Sequence, residues 1–154
     1  MNLRLTLAQA TAITDEALRL RAKHGLLPLA VMVLDAGGQL VSFRREDGCG
    51  LLRHDIALGK AWAALGMGMA TRQIRDRLAD RPTFQAGLAA ASQGRFISTP
   101  GGVLITSGGV AIGAIGISGD ASDKDEFCAI EAVRAIGLEP EPPSPSPNWN
   151  GAHL

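Results

Sequence analysis

Between Thr99 and Glu126 the chain carries two short apolar runs rich in β-branched residues, Val103–Thr106 and Val110–Ser118, both framed by glycines. Such runs read as strands. Ser107-Gly108-Gly109 supplies the turn between them, because a tight hairpin needs residues that accept positive φ. Gly113, Gly116 and Gly119 recur every third residue along the second strand. Glycine weakens a strand, so this spacing predicts bulges or a close backbone approach by a neighbour or a ligand. Ser118-Gly119-Asp120 then leaves the sheet and Asp123-Lys124-Asp125-Glu126 opens a helix. Carboxylates and free backbone N–H groups gather at that corner, and the rest of the chain has to present it.

Upstream, Thr6-Leu7-Ala8-Gln9 has the form of a capping box, which starts a helix near Leu7. Ala10, Ile13, Ala17 and Leu20 give it one apolar face, and Gly25 ends it. Leu29–Leu34 is continuously apolar, as in a strand covered on both faces. Asp35-Ala36-Gly37-Gly38 turns the chain, and Gln39–Arg45 returns as a second strand. A glycine-flanked loop leads to a helix over Leu52–Met67 that is rich in small residues and suits close packing. Thr71 is read as the cap of a second helix and Pro82 as the start of a third, with Gly94 beyond its end. The final helix covers about Lys124–Ile136. The order helix, hairpin, three helical pieces, hairpin, helix predicts an α+β sandwich: an antiparallel sheet of about five strands with helices packed on it.

Residues 139–154 change character. Five of the eight prolines fall between Pro140 and Pro147, which excludes a regular helix or a central strand there. The expected organisation is a domain over 1–138 followed by a Pro-rich segment, either a disordered tail or an arm that docks on a neighbour through Trp149.

A formal net charge of +0 and an aromatic content of 4% without tyrosine argue against nucleic acid as a partner. Neither a membrane span nor a secretion signal is read at the N-terminus, and Cys49 and Cys128 are read as reduced thiols. The expected location is cytoplasmic.

Several residues bear chemistry. His54, at the start of the glycine-led helix, suits iron ligation or acid/base work, against a plain capping role. Asp55 adjoins it, but helical neighbours point about 100° apart, so the two are not expected to share a site. Arg44 and Arg45 take opposite faces of their strand, and one of them suits a ligand carboxylate. Arg44 is the chosen candidate. Lys60 is either a buried, paired lysine or a site residue. Gly101 and Gly102 offer backbone N–H groups to an anion, or simply bend the chain into its hairpin. Asp120, Asp123, Asp125 and Glu126 have the composition of a hard-cation site, with Asp125 and Glu126 as the metal candidates, against helix capping.

His54-Asp55-Ile56-Ala57-Leu58-Gly59-Lys60-Ala61, Arg81-Pro82-Thr83-Phe84, Pro100-Gly101-Gly102-Val103-Leu104-Ile105 and Gly113-Ala114-Ile115-Gly116-Ile117-Ser118-Gly119-Asp120 with Asp125-Glu126 together resemble the GlcG/HbpS family. The resemblance covers about residues 3–138. It implies a profilin-like sandwich assembled into dimers, tetramers or octamers. Known members include a secreted haem-binding and haem-degrading sensor, the haem-binding C-terminal domain of a corrinoid adenosyltransferase, and proteins encoded beside catabolic enzymes. Glu126 and Glu131 are the candidates for the sensor's acidic iron-binding motif. The absent tyrosine and absent secretion signal depart from the sensor.

Two functions follow as expectations. One is a binding protein for haem or another small anionic cofactor, with His54 at the metal or ring, Arg44 at the acidic groups, and Gly101, Gly102 and Asp120 around it. The other is a catabolic enzyme of the isomerase, lyase or hydrolase type acting on a carboxylated metabolite. There His54 is the acid/base, Arg44 holds the carboxylate and Lys60 assists.

Overall fold

The computed structural model describes residues 4–154, and its first helix, α1 (Leu7–His24), begins where the capping box places it. The Thr6 hydroxyl accepts from the Gln9 amide at 3.1 Å, and the Gln9 side chain accepts from the Thr6 amide at 3.0 Å. Two N–H groups that would otherwise lack partners are thereby satisfied, a cap of about 1 kcal/mol. Strands β1 (Ala30–Asp35) and β2 (Leu40–Arg45) form the first hairpin. Helices α2 (Arg53–Met67), α3 (Thr71–Arg77) and α4 (Pro82–Ala91) follow. Strands β3 (Gly102–Ser107) and β4 (Val110–Ser118) make the second hairpin, and α5 (Ser122–Ala135) closes the order expected from the sequence.

The sheet has five strands in the order β2-β1-β4-β3-β5, every pair antiparallel. The α+β architecture expected from the sequence is the one observed. Because β1 lies second in the sheet, its alternation feeds two cores. Val31 and Val33 pack with α1 and α5, while Ala30, Met32 and Leu34 pack with α2. Both sets are at most 1% exposed, which is why this strand reads as one unbroken apolar run.

The glycine spacing of β4 has a packing cause. A Cβ on Gly116 would lie 2.0 Å from the Ala57 carbonyl oxygen of α2, and one on Gly102 would lie 2.3 Å from that of Lys60. Helix α2 therefore rests directly on the sheet backbone, and its buried alanines Ala57, Ala61 and Ala64 let it do so, while Gly59 makes room for Ile97. The close approach foreseen at Gly116 is made by a helix of the same chain.

The proline-rich segment is folded against its own domain. Glu139–Glu141 form the short edge strand β5, paired with β3 through Leu104, Ile105 and Thr106. Proline is tolerated there because an edge strand leaves one side of the ladder unpaired. A cis peptide joins Glu141 to Pro142, and the chain then runs back along α5 to a single 3₁₀ turn at Trp149–Gly151. Trp149 stacks on Phe127 of the same chain at 3.6 Å, nearly parallel at 2°.

Candidate functional site

Lys60 projects from α2 past the end of β3 and is only 2% exposed. Its Nζ donates to the Ile117 carbonyl at 2.8 Å and to Asp125 Oδ2 at 3.1 Å, and the second Asp125 oxygen accepts from the Asp120 amide at 3.0 Å. Burial pushes the Asp125 carboxyl up to about 6 and lowers the Lys60 pKa, each against the pull of the other's charge. Of the two readings left open for Lys60, the structure supports the buried, paired lysine. It ties the end of β4 and the start of α5 to α2.

Asp120 belongs to the same joint. Its carboxylate accepts from the Leu27 amide at 2.9 Å and from the Ala121 amide at 2.7 Å. It is 7% exposed and its oxygens are directed at backbone amides of the chain itself.

Gly101 and Gly102 are buried too. The Gly102 N–H donates to the Thr71 hydroxyl at 2.8 Å, and the Gly101 carbonyl accepts from the Ile117 amide at 3.0 Å. The N–H that was to meet an anion is thus engaged inside the protein. Thr71 was read as a helix cap, but Ala70 occupies that position, and the Thr71 hydroxyl serves Gly102 instead.

Asp125 and Glu126 diverge. The first faces Lys60 and the second faces Arg72 Nε at 3.3 Å, while Glu131 lies 3.6 Å from Arg134. Each proposed metal carboxylate already meets a cation of the chain. Among the described residues no three His, Cys, Asp or Glu side chains are grouped to hold a metal ion.

His54 lies in the first turn of α2, with its side chain 45% exposed. Its Nδ1 is 3.3 Å from Asp55 Oδ1, so these neighbours do share a site, contrary to the expectation from helix geometry. At the first turn the side chains are long enough and open enough to lean together. An aspartate on Nδ1 fixes the tautomer and leaves Nε2 as the ligating or proton-accepting nitrogen. The His54 ring stands edge-on to Phe43 at 4.9 Å. Leu51 and Leu52, just upstream, are 86% and 65% exposed. Phe43 at the ring and these two leucines immediately upstream in the chain make this an open, apolar stretch, a shelf that carries one imidazole.

Arg44 is not on that shelf. Strand alternation turns it with Ser42 toward α1, where Ser42 meets the Thr14 hydroxyl at 3.0 Å and Arg44 Nε lies 3.9 Å from Asp15. Arg45 turns with Phe43 toward His54. Among the described residues its guanidinium has one hydrogen bond, to the Cys49 carbonyl at a long 3.5 Å. The alternation was legible in the sequence, but the face belonging to His54 was not. His54, Arg44 and Lys60 therefore lie at three separate places. Sequence reasoning weighed Arg44 and Arg45 and chose Arg44, whereas it is Arg45 that shares the face of Phe43, and it missed Thr71 as the partner of the glycine loop.

Residues 5–134 match the family described as haem degrading protein HbpS-like, and the chain belongs to that family. It is 32% identical over 119 residues to the corrinoid adenosyltransferase PduO of Salmonella typhimurium, a match covering 77% of this chain and 35% of that protein. The chain thus spans about a third of the length of that relative. Among solved structures it resembles the PduOC:heme complex, with a TM-score of 0.77 and 27% identity over 88% of this chain and 96% of that one. It also resembles a double mutant of HbpS from Streptomyces reticuli, with a TM-score of 0.74 and 29% identity over 89% of each chain. No described helix is long and apolar enough to cross a membrane.

Proposed function

We infer that this protein binds haem at the His54 shelf, with Nε2 of His54 as the ligand to the iron. The observation that carries this reading is the His54–Asp55 contact, since metal-bound imidazoles characteristically engage their other nitrogen with a carboxylate. The donor set fits the group. One imidazole nitrogen points away from Asp55, Phe43, Leu51 and Leu52 offer apolar surface to a flat macrocycle, and Arg45 offers a guanidinium to an acidic side group. Bound haem would supply an iron centre open to redox and ligand-exchange chemistry. The chain's residues hold the group, set the tautomer of its ligand and neutralise its acid groups. Arg45 takes the part expected of Arg44.

The likeness to a haem complex supports the reading from outside the chain. A cytoplasmic setting accords with the buried, free thiols of Cys49 and Cys128. Assembly into dimers, tetramers or octamers belongs to the same reading. Helix α4, which buries none of its residues in this chain, is the face such assembly would cover.

The test is a haem titration of the purified protein followed at the Soret band, with His54→Ala alongside. Saturation near one equivalent, lost in the variant, is expected. Weak, non-stoichiometric binding unaffected by the substitution would overturn the reading and favour the alternative, acid/base chemistry by the His54–Asp55 pair on a carboxylated metabolite held by Arg45.

A further inference from the structure

Helix α2 ends beside an open groove. Two cavities, of about 220 and 190 Å³, share Trp62 and Gly66 as lining residues there. The larger is walled by Trp62 and Met67 of α2, Leu88 of α4 and Phe96 beyond it, so its lining is apolar and partly aromatic. The smaller lies beside the β1–β2 turn, where a Cβ on Gly38 would come 3.2 Å from the Trp62 indole nitrogen. Trp62 is held by that turn at its edge and by Arg95, whose guanidinium lies over the ring at 3.9 Å. Two features of the groove serve nothing within the chain. Gly66 lies inside α2, where glycine is costlier than alanine, yet a Cβ there would meet no atom within 4 Å. That sets it apart from Gly59, Gly102 and Gly116, where an added Cβ would come to 2.5 Å or less from a neighbour. The other feature is Arg95. Its Nε donates to the Ser92 carbonyl at 3.0 Å, but among the described residues no carboxylate pairs with its charge and its Nη groups have no hydrogen-bond partner. Ser92 and Trp62 both line the larger cavity, which places this cation at its edge.

We propose that the Trp62–Gly66 groove binds a small apolar carboxylate, with its ring or chain in the groove and its acid group on Arg95. A guanidinium presents a planar fork that matches a carboxylate through two parallel hydrogen bonds. The Ser92 carbonyl and the stack on Trp62 fix the plane of Arg95 before any ligand arrives, so little side-chain freedom is lost on binding. The apolar body displaces water from Trp62, Met67, Leu88 and Phe96, which drives association, and Gly66 leaves it room. Both cavities fall below the roughly 300–1,000 Å³ of sites for drug-sized ligands, which limits the body to a single ring or a short chain. The step from His54 to Gly66 along α2 is about 18 Å, so the groove is separate from the shelf and the proposal does not depend on haem binding. A second copy of the chain is the competing occupant, because α4 is also the face assigned to assembly.

The test is calorimetric titration of the full-length chain with benzoate, phenylacetate, hexanoate and octanoate, each beside its neutral amide. At least one acid is expected to saturate at one equivalent and to bind about tenfold or more tightly than its amide, the worth of a charge-assisted hydrogen bond. Arg95→Gln should remove that preference and leave amide binding in place. Gly66→Met fills the groove without meeting the chain, so it should abolish binding of both forms while thermal stability is kept or raised. No saturable binding by any of the acids would overturn the proposal. Equal binding of acid and amide, or binding undiminished by Gly66→Met, would do the same. A Gly66→Met chain that fails to fold would show that the groove is not open, which also overturns it. Sedimentation of the same samples tests the competing occupant. A wild type that takes up none of the acids and forms a dimer that Gly66→Met disrupts would assign the groove to a second copy.

Discussion

Lys60–Asp125 and His54–Asp55 are both pairs of a basic side chain and an aspartate, and both have their base on α2, yet their surroundings give them opposite roles. The first pair is 2% and 1% exposed, and hydrogen bonds to Ile117 and Asp120 complete its shell. The second is 45% and 73% exposed, with one imidazole nitrogen engaged and an apolar shelf beside it. A buried pair surrounded by its own chain fixes geometry and has no route to a ligand. An exposed pair with a directed nitrogen contributes little to stability and is available for chemistry. Residue type alone did not separate them.

The comparison breaks most visibly at the buried end. Lys60→Ala strands the Asp125 carboxylate in the interior and should cost about 3–5 kcal/mol in denaturant unfolding. A Lys60→Met, Asp125→Asn double variant, which keeps an acceptor for the Asp120 amide, should recover a large part of that loss. A cost below about 1 kcal/mol for Lys60→Ala would show the pair to be an ordinary surface-type bridge.

At the exposed end the expected effect falls on binding. Arg45→Ala should weaken haem affinity roughly fivefold to tenfold, the worth of about 1 kcal/mol, and Arg44→Ala should leave it unchanged. Equal losses in the two variants would contradict the assignment of faces.

A third difference is in pH dependence. The folded chain keeps the Asp125 proton up to about 6, against 3.8 for the ordinary group, so in that window the folded state holds more protons than the unfolded. Its contribution to stability therefore falls as pH rises from about 4 to about 6, and Asp125→Asn should flatten that part of the profile. An unchanged slope in the variant would place the titration elsewhere. The smallest effect is on the fold at the shelf itself. His54→Ala should shift unfolding by no more than about 0.5 kcal/mol, because the ring is half exposed and its aromatic contact is edge-on to a single residue, Phe43, among the described residues.

How far the sequence carried the reading depended on how local each signal was. The capping box, both long hairpins and the buried β1 depend on short-range spacing, and all were read from the chain. β5 was not, because three residues including Pro140 carry no measurable alternation and pair only because β3 has a free edge. Thr71 sits where a cap belongs, and only the return of β3 reveals that its hydroxyl serves Gly102. Arg44 and Arg45 were known to part company. Choosing between them required knowing that α2 and α1 cover opposite faces, which is a fact of topology. His54 and Asp55 were kept apart by ideal helix geometry, which leaves out the freedom of side chains in a first turn.

The central claim is that His54 Nε2 ligates iron, and imidazole rescue tests it most directly. Ferric haem would be added to wild type and to His54→Ala, and the spectra recorded before and after adding free imidazole. The account predicts a histidine-ligated spectrum in wild type, its loss in the variant, and its return when imidazole fills the vacated position. A variant that keeps the wild-type spectrum without imidazole would place the ligand on another residue.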